Sequence, residues 1–326
     1  MQMGITSQEI FNSISQEIVN LPFPTSPAPL YQPMSYLLGH TGKRVRPVLA
    51  VLAYQACEGK EQDKMISASI ALEMVHNFTL MHDDIMDQAP VRRGQPTVHI
   101  KWDVNTAILS GDALFALAYP QLITPFPEVA AQMVRFFTDV VVGVCEGQME
   151  DMVMAQEPQV SIPEYIEMIR KKTAVLIGGA LGLGAIAAQA KQPFVDALYQ
   201  IGELMGTGFQ LQDDLLDVYG DQTKFGKQPG GDIIENKKTY LLLRALEKSG
   251  RYQKENLLNW LQYQEDNSEK VKQITGIYDE LNIKSETSEL IDNYYSRAQE
   301  KLNSLSDELS ITELQVYMNH VFLREK

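Results

Sequence analysis

The sequence predicts an all-α fold, a single-domain bundle of long helices, and three observations predict it. Apolar residues recur at helical spacing, as at Ile66, Ile70, Met74 and Phe78. No stretch of any length alternates apolar and polar residues as a half-buried strand does. The middle segments are apolar around much of their circumference, which places them inside a large bundle. With 326 residues, 44% of them apolar, the chain can bury a substantial core.

The elements follow in order. Ser7 to Val19 is amphipathic at helical spacing. Leu21 to Pro33 carries five prolines and reads as a linker or extended arm. Val45 to Ala56 is an apolar helix, and Asp63 to Gln88 is a long one. Pro90 to Pro96 is a loop. Trp102 to Tyr119 resumes helix and stops at Pro120. Glu128 to Met154, Ile162 to Gln189 and Val195 to Val218 are further long helices. Tyr219 to Gly231 is a loop bearing Gly and Lys; a loop so long inside a compact domain is usually functional or disordered. From Lys238 onward come about five shorter, more polar helices, and no fixed-period repeat exists. The one domain thus reads as an N-terminal helix and arm (1–33), a motif-bearing core (34–240) and C-terminal helices (241–326).

Charge narrows the function. The chain has 28 basic and 42 acidic residues, a net of −14. Such a protein repels nucleic acid and anionic membrane surfaces, so an anionic substrate must be held by local cations or metal ions. Cys57 and Cys145 form no CxxC pair and read as two buried thiols in a reducing compartment. Met1 to Asn20 lacks the pattern of a signal peptide. No segment offers the roughly 20 uninterrupted apolar residues of a membrane span, so a soluble cytoplasmic protein is expected.

The sharpest chemical feature is Asp83-Asp84-Ile85-Met86-Asp87, inside a predicted helix. Asp83 and Asp87 lie one turn apart and project from one face. Like charges so placed repel unless something positive is bound. A second copy, Asp213-Asp214-Leu215-Leu216-Asp217, also lies in an apolar helix. One such run is often a solvated acidic face. Two, both flanked by apolar residues, point to Mg²⁺, which takes a few carboxylate oxygens and fills its remaining positions with water and substrate phosphates.

Cations accompany the carboxylates. Gly42-Lys43-Arg44-Val45-Arg46-Pro47 opens a helix, with Lys43 and Arg46 able to point the same way. Arg92 and Arg93 follow the first aspartate helix; as loop neighbours they point to opposite sides and suit two different diphosphates. Lys171-Lys172-Thr173 interrupts an apolar helix, and Lys227 and Lys237 bracket the loop after the second aspartate run. His76 and His82 are six apart, not at zinc-helix spacing. Gly178 to Gly184 follows no strand, so it reads as close helix packing rather than a nucleotide loop. No GxSxG elbow or Ser/His/Asp set stands out.

Taken in this order, GKRxRP, HDDxxD with RRG, KT, FQxxDDxxD, GK and NK resemble the trans-polyprenyl diphosphate synthases, which include farnesyl and geranylgeranyl diphosphate synthases. The resemblance runs from about Tyr36 to Tyr240. It implies an all-α homodimer in which helices surround a deep apolar cavity, with the two aspartate motifs at its mouth. It implies that Asp83, Asp84, Asp87, Asp213, Asp214 and Asp217 bind Mg²⁺. Arg92, Lys172 and Lys227, assisted by Lys237, match contacts to an allylic diphosphate (dimethylallyl, geranyl or farnesyl). Lys43, Arg46, His76 and Arg93 match contacts to isopentenyl diphosphate. Lys172, Thr173 and Gln210 are the matching catalytic groups, the last two with oxygens near the developing cation. Phe78 and Thr79, fifth and fourth before Asp83, stand where the family reads chain length. One aromatic at the fifth position, with no insertion in the motif, resembles the enzymes that make the C20 product; C15 and C25 are its neighbours. A terpene cyclase would not need the Lys43, Arg46 and Arg93 set, and a regulatory subunit would be expected to lose aspartates that this chain keeps.

Overall fold

The computed structural model describes residues 5–40, 42–220 and 230–322. Among these residues the secondary structure is helical apart from one two-stranded hairpin. The chain divides into two compact units, one of Met1–Val141, Leu176–Tyr199 and Leu302–Lys326, the other of Val142–Val175 and Gln200–Lys301.

In the first unit, α1 (Ser7–Val19) opens on a capping box, in which Glu9 N–H donates to Thr6 Oγ1 at 3.3 Å and Thr6 N–H to Glu9 Oε2 at 2.7 Å. It buries Ile10, Ile14 and Ile18, one residue per turn. The proline-rich arm is shorter than expected, because α2 (Ala28–Leu38) starts inside it. Pro29 sits in the first turn, where no helical donor is needed. Pro33 is interior and costs about 3 kcal/mol, which burial of Met34, Leu37 and Leu38 at about 2 kcal/mol each offsets. Then come α3 (Val45–Ala56) and the 25-residue α4 (Gln62–Met86).

The predicted loop at Pro90 to Pro96 is a hairpin, β1 (Val91–Arg92) paired antiparallel with β2 (Gln95–Pro96). Its turn residues Arg93 and Gly94 have φ of 52° and 74°, the signs a type I′ turn requires. Nothing lies within 4 Å of a Cβ on Gly94, so glycine serves the backbone angle there and not the space. Strands of two residues are too short to alternate, which hid them from the sequence pattern.

After α5 (Val98–Lys101), α6 (Val104–Ile123) is capped by Asp103, whose Oδ1 accepts Thr106 N–H at 2.9 Å. It runs through Pro120 instead of stopping there. The carbonyl that Pro120 leaves without a donor belongs to exposed Ala116, where water can reach it. Contrary to expectation, α6 is long and apolar enough to cross a membrane by length and composition, although a third of that stretch is buried in the unit. Leu37, Met81, Val98 and Ala107 from α2, α4, α5 and α6 form a small core, with Tyr36, Ile85 and Trp102 packed against it.

Next come the part of α7 (Ala130–Gln156) up to Val141 and α9 (Val175–Ala187) from Leu176, whose glycines do serve helix packing. A Cβ on Gly179 would meet Val140 at 2.7 Å, on Gly182 the Phe136 ring at 2.4 Å, and on Gly184 the Ala50 carbonyl at 2.2 Å. The unit also holds the start of α10 (Gln192–Tyr219) and the C-terminal α16 (Thr312–Phe322). Cys57 is half-buried, and Cys145 on α7 is exposed where a buried thiol was expected.

In the second unit, α8 (Ile162–Ile169) also starts on a capping box, from Ser161 and Glu164. The helix expected to run unbroken from Ile162 to Gln189 contains a π-turn over Arg170–Ala174. Such turns carry an extra residue per turn and recur at functional sites. Gly147 of α7 explains its seat: a Cβ there would lie 2.2 Å from Lys172 N. Gly147→Ala is therefore expected to push the π-turn away and lower the melting temperature by several degrees. A thermal melt equal to that of wild type would sink this account.

Lys238 caps α7 by donating to the carbonyls of Met154 at 2.5 Å, Ala155 at 3.3 Å and Glu157. The rest of the unit is the later part of α10, then α11 (Gly231–Ile234), α12 (Tyr240–Lys248), α13 (Arg251–Gln262), α14 (Asn267–Glu280) and α15 (Ile283–Asn303).

Candidate active site

In the first unit α4 ends at Met86, so Asp83 and Asp84 occupy its last turn and Asp87 is its C-cap. Carboxylates there face the negative end of the helix dipole as well as each other. Arg92 relieves part of that strain. Its Nε donates to Asp84 Oδ1 at 2.7 Å, and its Nη2 lies 3.8 Å from Asp83 Oδ2. Asp84 is buried, and burial raises its carboxyl pKa while Arg92 works in the opposite direction. Its second oxygen, Oδ2, is buried with no hydrogen-bond partner.

Arg93 turns the other way, as expected of neighbours in that turn. Its Nη1 lies against Gly42, 3.0 Å from where a Cβ would stand. Nearby, Arg44 takes the left-handed conformation at φ 47° and is fully engaged: Nη1 pairs with Glu73, and Nη2 donates to the carbonyls of Leu38 at 2.7 Å and His40 at 2.9 Å. Arg46 has a buried Nε with no acceptor. Desolvation pulls its pKa down to about 10, with Glu73 opposing the fall and Arg93 adding to it, so it stays charged at neutral pH. Burial, then Arg46, Arg93, Arg92 and Arg44, push the His76 imidazole well below its usual value, so it is neutral. Lys43 is exposed. Arg46, His76 and Arg93 thus make a cationic pocket with one neutral hydrogen-bonding ring.

Below the first aspartates, Phe78 stacks on Phe115 with centroids 5.1 Å apart, and His82 meets the Phe78 ring edge-on at 4.8 Å. The aromatic line continues through Tyr119 to Phe137 at 5.4 and 5.5 Å. The Thr79 hydroxyl turns back to donate to the His76 carbonyl at 2.8 Å. Phe115 lies on another helix, out of reach of a reading made from positions upstream of Asp83.

In the second unit Asp213 is exposed, Asp214 buried and Asp217 half-buried on α10. A hydrogen-bonded chain leads into Asp214. Thr173 Oγ1 donates to Gln210 Oε1 at 3.0 Å, Gln210 Nε2 donates to Asp214 Oδ1 at 3.0 Å, and Tyr165 O–H donates to Asp214 Oδ2. Burial raises the Asp214 carboxyl to about 7, with Tyr165 opposing the rise and Asp232 adding to it. Burial and the Asp214 charge hold the Tyr165 hydroxyl well above its usual value, so it remains a donor. Asp217 Oδ2 accepts the backbone N–H of Asp232 at 2.9 Å. Lys172 pairs with Asp151 at 2.6 Å and Lys237 with Asp232 at 3.7 Å. Lys227 lies outside the described residues.

The structure brings Arg46, Arg93 and His76 together and sets Thr173 and Gln210 in one hydrogen-bonded chain with Asp214; the sequence reading did not single out Arg44, Glu73, Asn77, Tyr165, Asp151, Asp232 or Phe115. Glu73 stands three residues before His76 and four before Asn77 on α4, helical spacings that were a signal for those two; the others meet their partners only through folding.

The profile of the polyprenyl synthetase family matches residues 27–278. The chain belongs to the polyprenyl synthetase family. This polyprenyl synthetase is 32% identical over 308 residues to geranylgeranyl diphosphate synthase of Sulfolobus acidocaldarius, covering 93% of this chain and 92% of that protein. It is 39% identical over 226 residues to the geranylgeranyl diphosphate synthase of Methanosarcina mazei, covering 69% of each chain. A crystal structure of a geranylgeranyl pyrophosphate synthase superposes with TM-score 0.92 at 35% identity, covering 99% of this chain and all of that one. The Pyrococcus horikoshii geranylgeranyl pyrophosphate synthetase gives TM-score 0.89 at 30% identity, covering 98% of each. The polyprenyl synthetase is a prenyltransferase of all-α fold.

The donor set suits a hard divalent cation. It consists of carboxylate oxygens, and Asp84 Oδ2 is buried without a hydrogen-bond partner. Among the described residues no three His, Cys, Asp or Glu side chains converge tightly enough to cage an ion by themselves. Mg²⁺ does not need such a cage, because it completes its shell with water and substrate phosphates.

Proposed function

We propose that the protein condenses isopentenyl diphosphate with an allylic diphosphate to give geranylgeranyl diphosphate. The observation that carries the reading is that both aspartate clusters are intact in a chain that aligns over 93% of its length with a geranylgeranyl diphosphate synthase. Asp83, Asp84, Asp87, Asp213, Asp214 and Asp217 would hold Mg²⁺, which supplies positive charge to the leaving diphosphate when bound.

Arg92, Lys172, Lys227 and Lys237 bind the allylic diphosphate and neutralise it as its C–O bond breaks. Lys43, Arg46 and Arg93 bind isopentenyl diphosphate, and neutral His76 gives it one N–H. Thr173 donates its proton to Gln210, which leaves the hydroxyl lone pairs free to face the allylic cation. The allylic cation must be kept from water for the condensation to succeed. The isopentenyl double bond attacks, and the proton then lost goes to the departing diphosphate, so no side-chain base is required.

The test is a product assay with Mg²⁺, isopentenyl diphosphate and, separately, dimethylallyl, geranyl or farnesyl diphosphate, read by mass spectrometry. An EDTA-sensitive C20 product is expected. A C15 or C25 product would retain the reaction and reject the chain length. Folded protein that condenses no primer would reject the reaction, leaving the cyclase and regulatory-subunit alternatives.

Phe78 sets the floor together with Phe115, whose ring stacks on it. Phe78→Ala is expected to lengthen part of the product by at least one C5 unit, and the Phe78→Ala/Phe115→Ala pair to lengthen it further. An unchanged distribution in both would put the floor elsewhere.

We also read the protein as a cytoplasmic homodimer. Val104, Ile108 and Leu109 on α6 are 45%, 39% and 59% exposed, an apolar face that a second copy would cover. Light scattering at the monomer mass would reject the dimer, and recovery in the membrane fraction would reject the location.

A further inference from the structure

We infer that Glu73 is a positioning residue for the second substrate, holding Arg44 in the turn before α3 and through it ordering the pocket of Arg46, His76 and Arg93. The inference rests on the reading of that pocket as the isopentenyl diphosphate site.

Arg44 does not reach a ligand itself, being 6% exposed. It adopts a left-handed backbone that costs a non-glycine residue free energy and persists only where its surroundings enforce it. Glu73 supplies that enforcement. Glu73 is 3% exposed and takes Arg44 Nη1 on its carboxylate, while Arg44 Nη2 reaches the carbonyls of Leu38, the last residue of α2, and of His40 beyond it. One guanidinium therefore joins α4 to the end of α2 and closes the segment that carries Gly42 and Lys43. Asn77 fixes the carboxylate from the next turn of α4, donating to Glu73 Oε1 at 3.2 Å and to the Glu73 carbonyl at 2.8 Å.

Two features link this network to the pocket. Glu73 lies three residues before His76, on the same face of α4. Gly42, at the tip of the closed segment, packs against the Arg93 guanidinium. Glu73 is also the carboxylate that favours the charged forms of Arg46 and Arg93, which otherwise repel each other. It keeps the cations assembled before an anion arrives, which reduces the reorganisation required on binding.

The experiment is steady-state kinetics on Glu73→Gln, Arg44→Met and the double variant, varying each substrate in turn. Glu73→Gln is expected to raise KM for isopentenyl diphosphate about tenfold, with kcat and the allylic KM within about twofold. Arg44→Met is expected to do the same, and the double variant to be no worse than the poorer single, because the two act as one unit. A lower isopentenyl KM in Glu73→Gln would mean that removing negative charge simply strengthens the pocket, and would overturn the inference. Parallel loss in kcat and both KM values, or additive effects in the double variant, would also overturn it. If Glu73→Gln fails to fold, Asn77→Leu, which keeps the Glu73 carboxylate and removes the amide that donates to it and to the Glu73 carbonyl, should raise the same KM about threefold; an unchanged value there rejects the proposal. Wild-type protein that makes no product would reject the reading of the site instead. Calorimetry with isopentenyl diphosphate then decides the positioning role, which stands if Glu73→Gln binds more weakly than wild type and falls if the two bind alike.

Discussion

Asp84→Ala is expected to lower kcat for condensation about a thousandfold, the scale on which a group stabilising charge in a transition state acts. The change removes two things together. One is the buried Oδ2, which has no hydrogen-bond partner within the protein. The other is the acceptor that holds Arg92 Nε at 2.7 Å, so Arg92 loses its orientation toward the aspartates. Excess Mg²⁺ should not restore turnover, because the missing ligand cannot be replaced by mass action. Arg92→Met separates the two contributions: it should chiefly raise the allylic KM, leaving the carboxylate in place. Steady-state rates over a Mg²⁺ titration provide the check. A kcat for Asp84→Ala within tenfold of wild type would remove Asp84 from the set that carries the metal.

The second large effect concerns stability. Asp214 has its folded-state carboxyl raised to about 7, chiefly by burial, against an ordinary value of 3.8. The sign follows directly. Below 3.8 the carboxyl is protonated in both folded and unfolded chains and contributes no pH dependence. Between 3.8 and about 7 only the unfolded chain ionises, so stability falls as pH rises. Above 7 the full penalty is present, on the order of 4 kcal/mol at most. In EDTA at pH 8, Asp214→Asn should therefore melt several degrees above wild type, and the difference should close near pH 4. The same variant should lose condensation activity. Equal melting curves across this pH range would show that Asp214 ionises in the fold without cost. The opposed expectations for stability and activity describe a site that keeps a carboxylate for a cation and is destabilised while it waits.

Much of the molecule was legible in the chain, because helical information is local. A side chain meets its helical neighbours three and four residues away, so periodicity alone revealed α1, α3, α4, α7 and α10 to within a few residues. The same locality exposed the two aspartate runs, since a like-charge pair one turn apart in an apolar helix is unfavourable unless a cation is bound. The Gly178–Gly184 run read correctly as packing because no strand precedes it.

What folding alone decided lies between segments. Arg92 and Arg93 are alike in sequence; the type I′ turn sends one to Asp84 and leaves the other against Gly42. The π-turn that carries Lys171, Lys172 and Thr173 lies against α7, which can approach because Gly147 has no Cβ to strike Lys172 N. Arg44 and Glu73 are 29 residues apart, Tyr165 and Asp214 are 49 apart, and Phe115 reaches Phe78 from another helix. Sequence spacing determined which side chains share a helix face. Which faces meet depends on packing between distant segments, and that is where the carboxylates acquired their partners, their burial and their shifted pKa values.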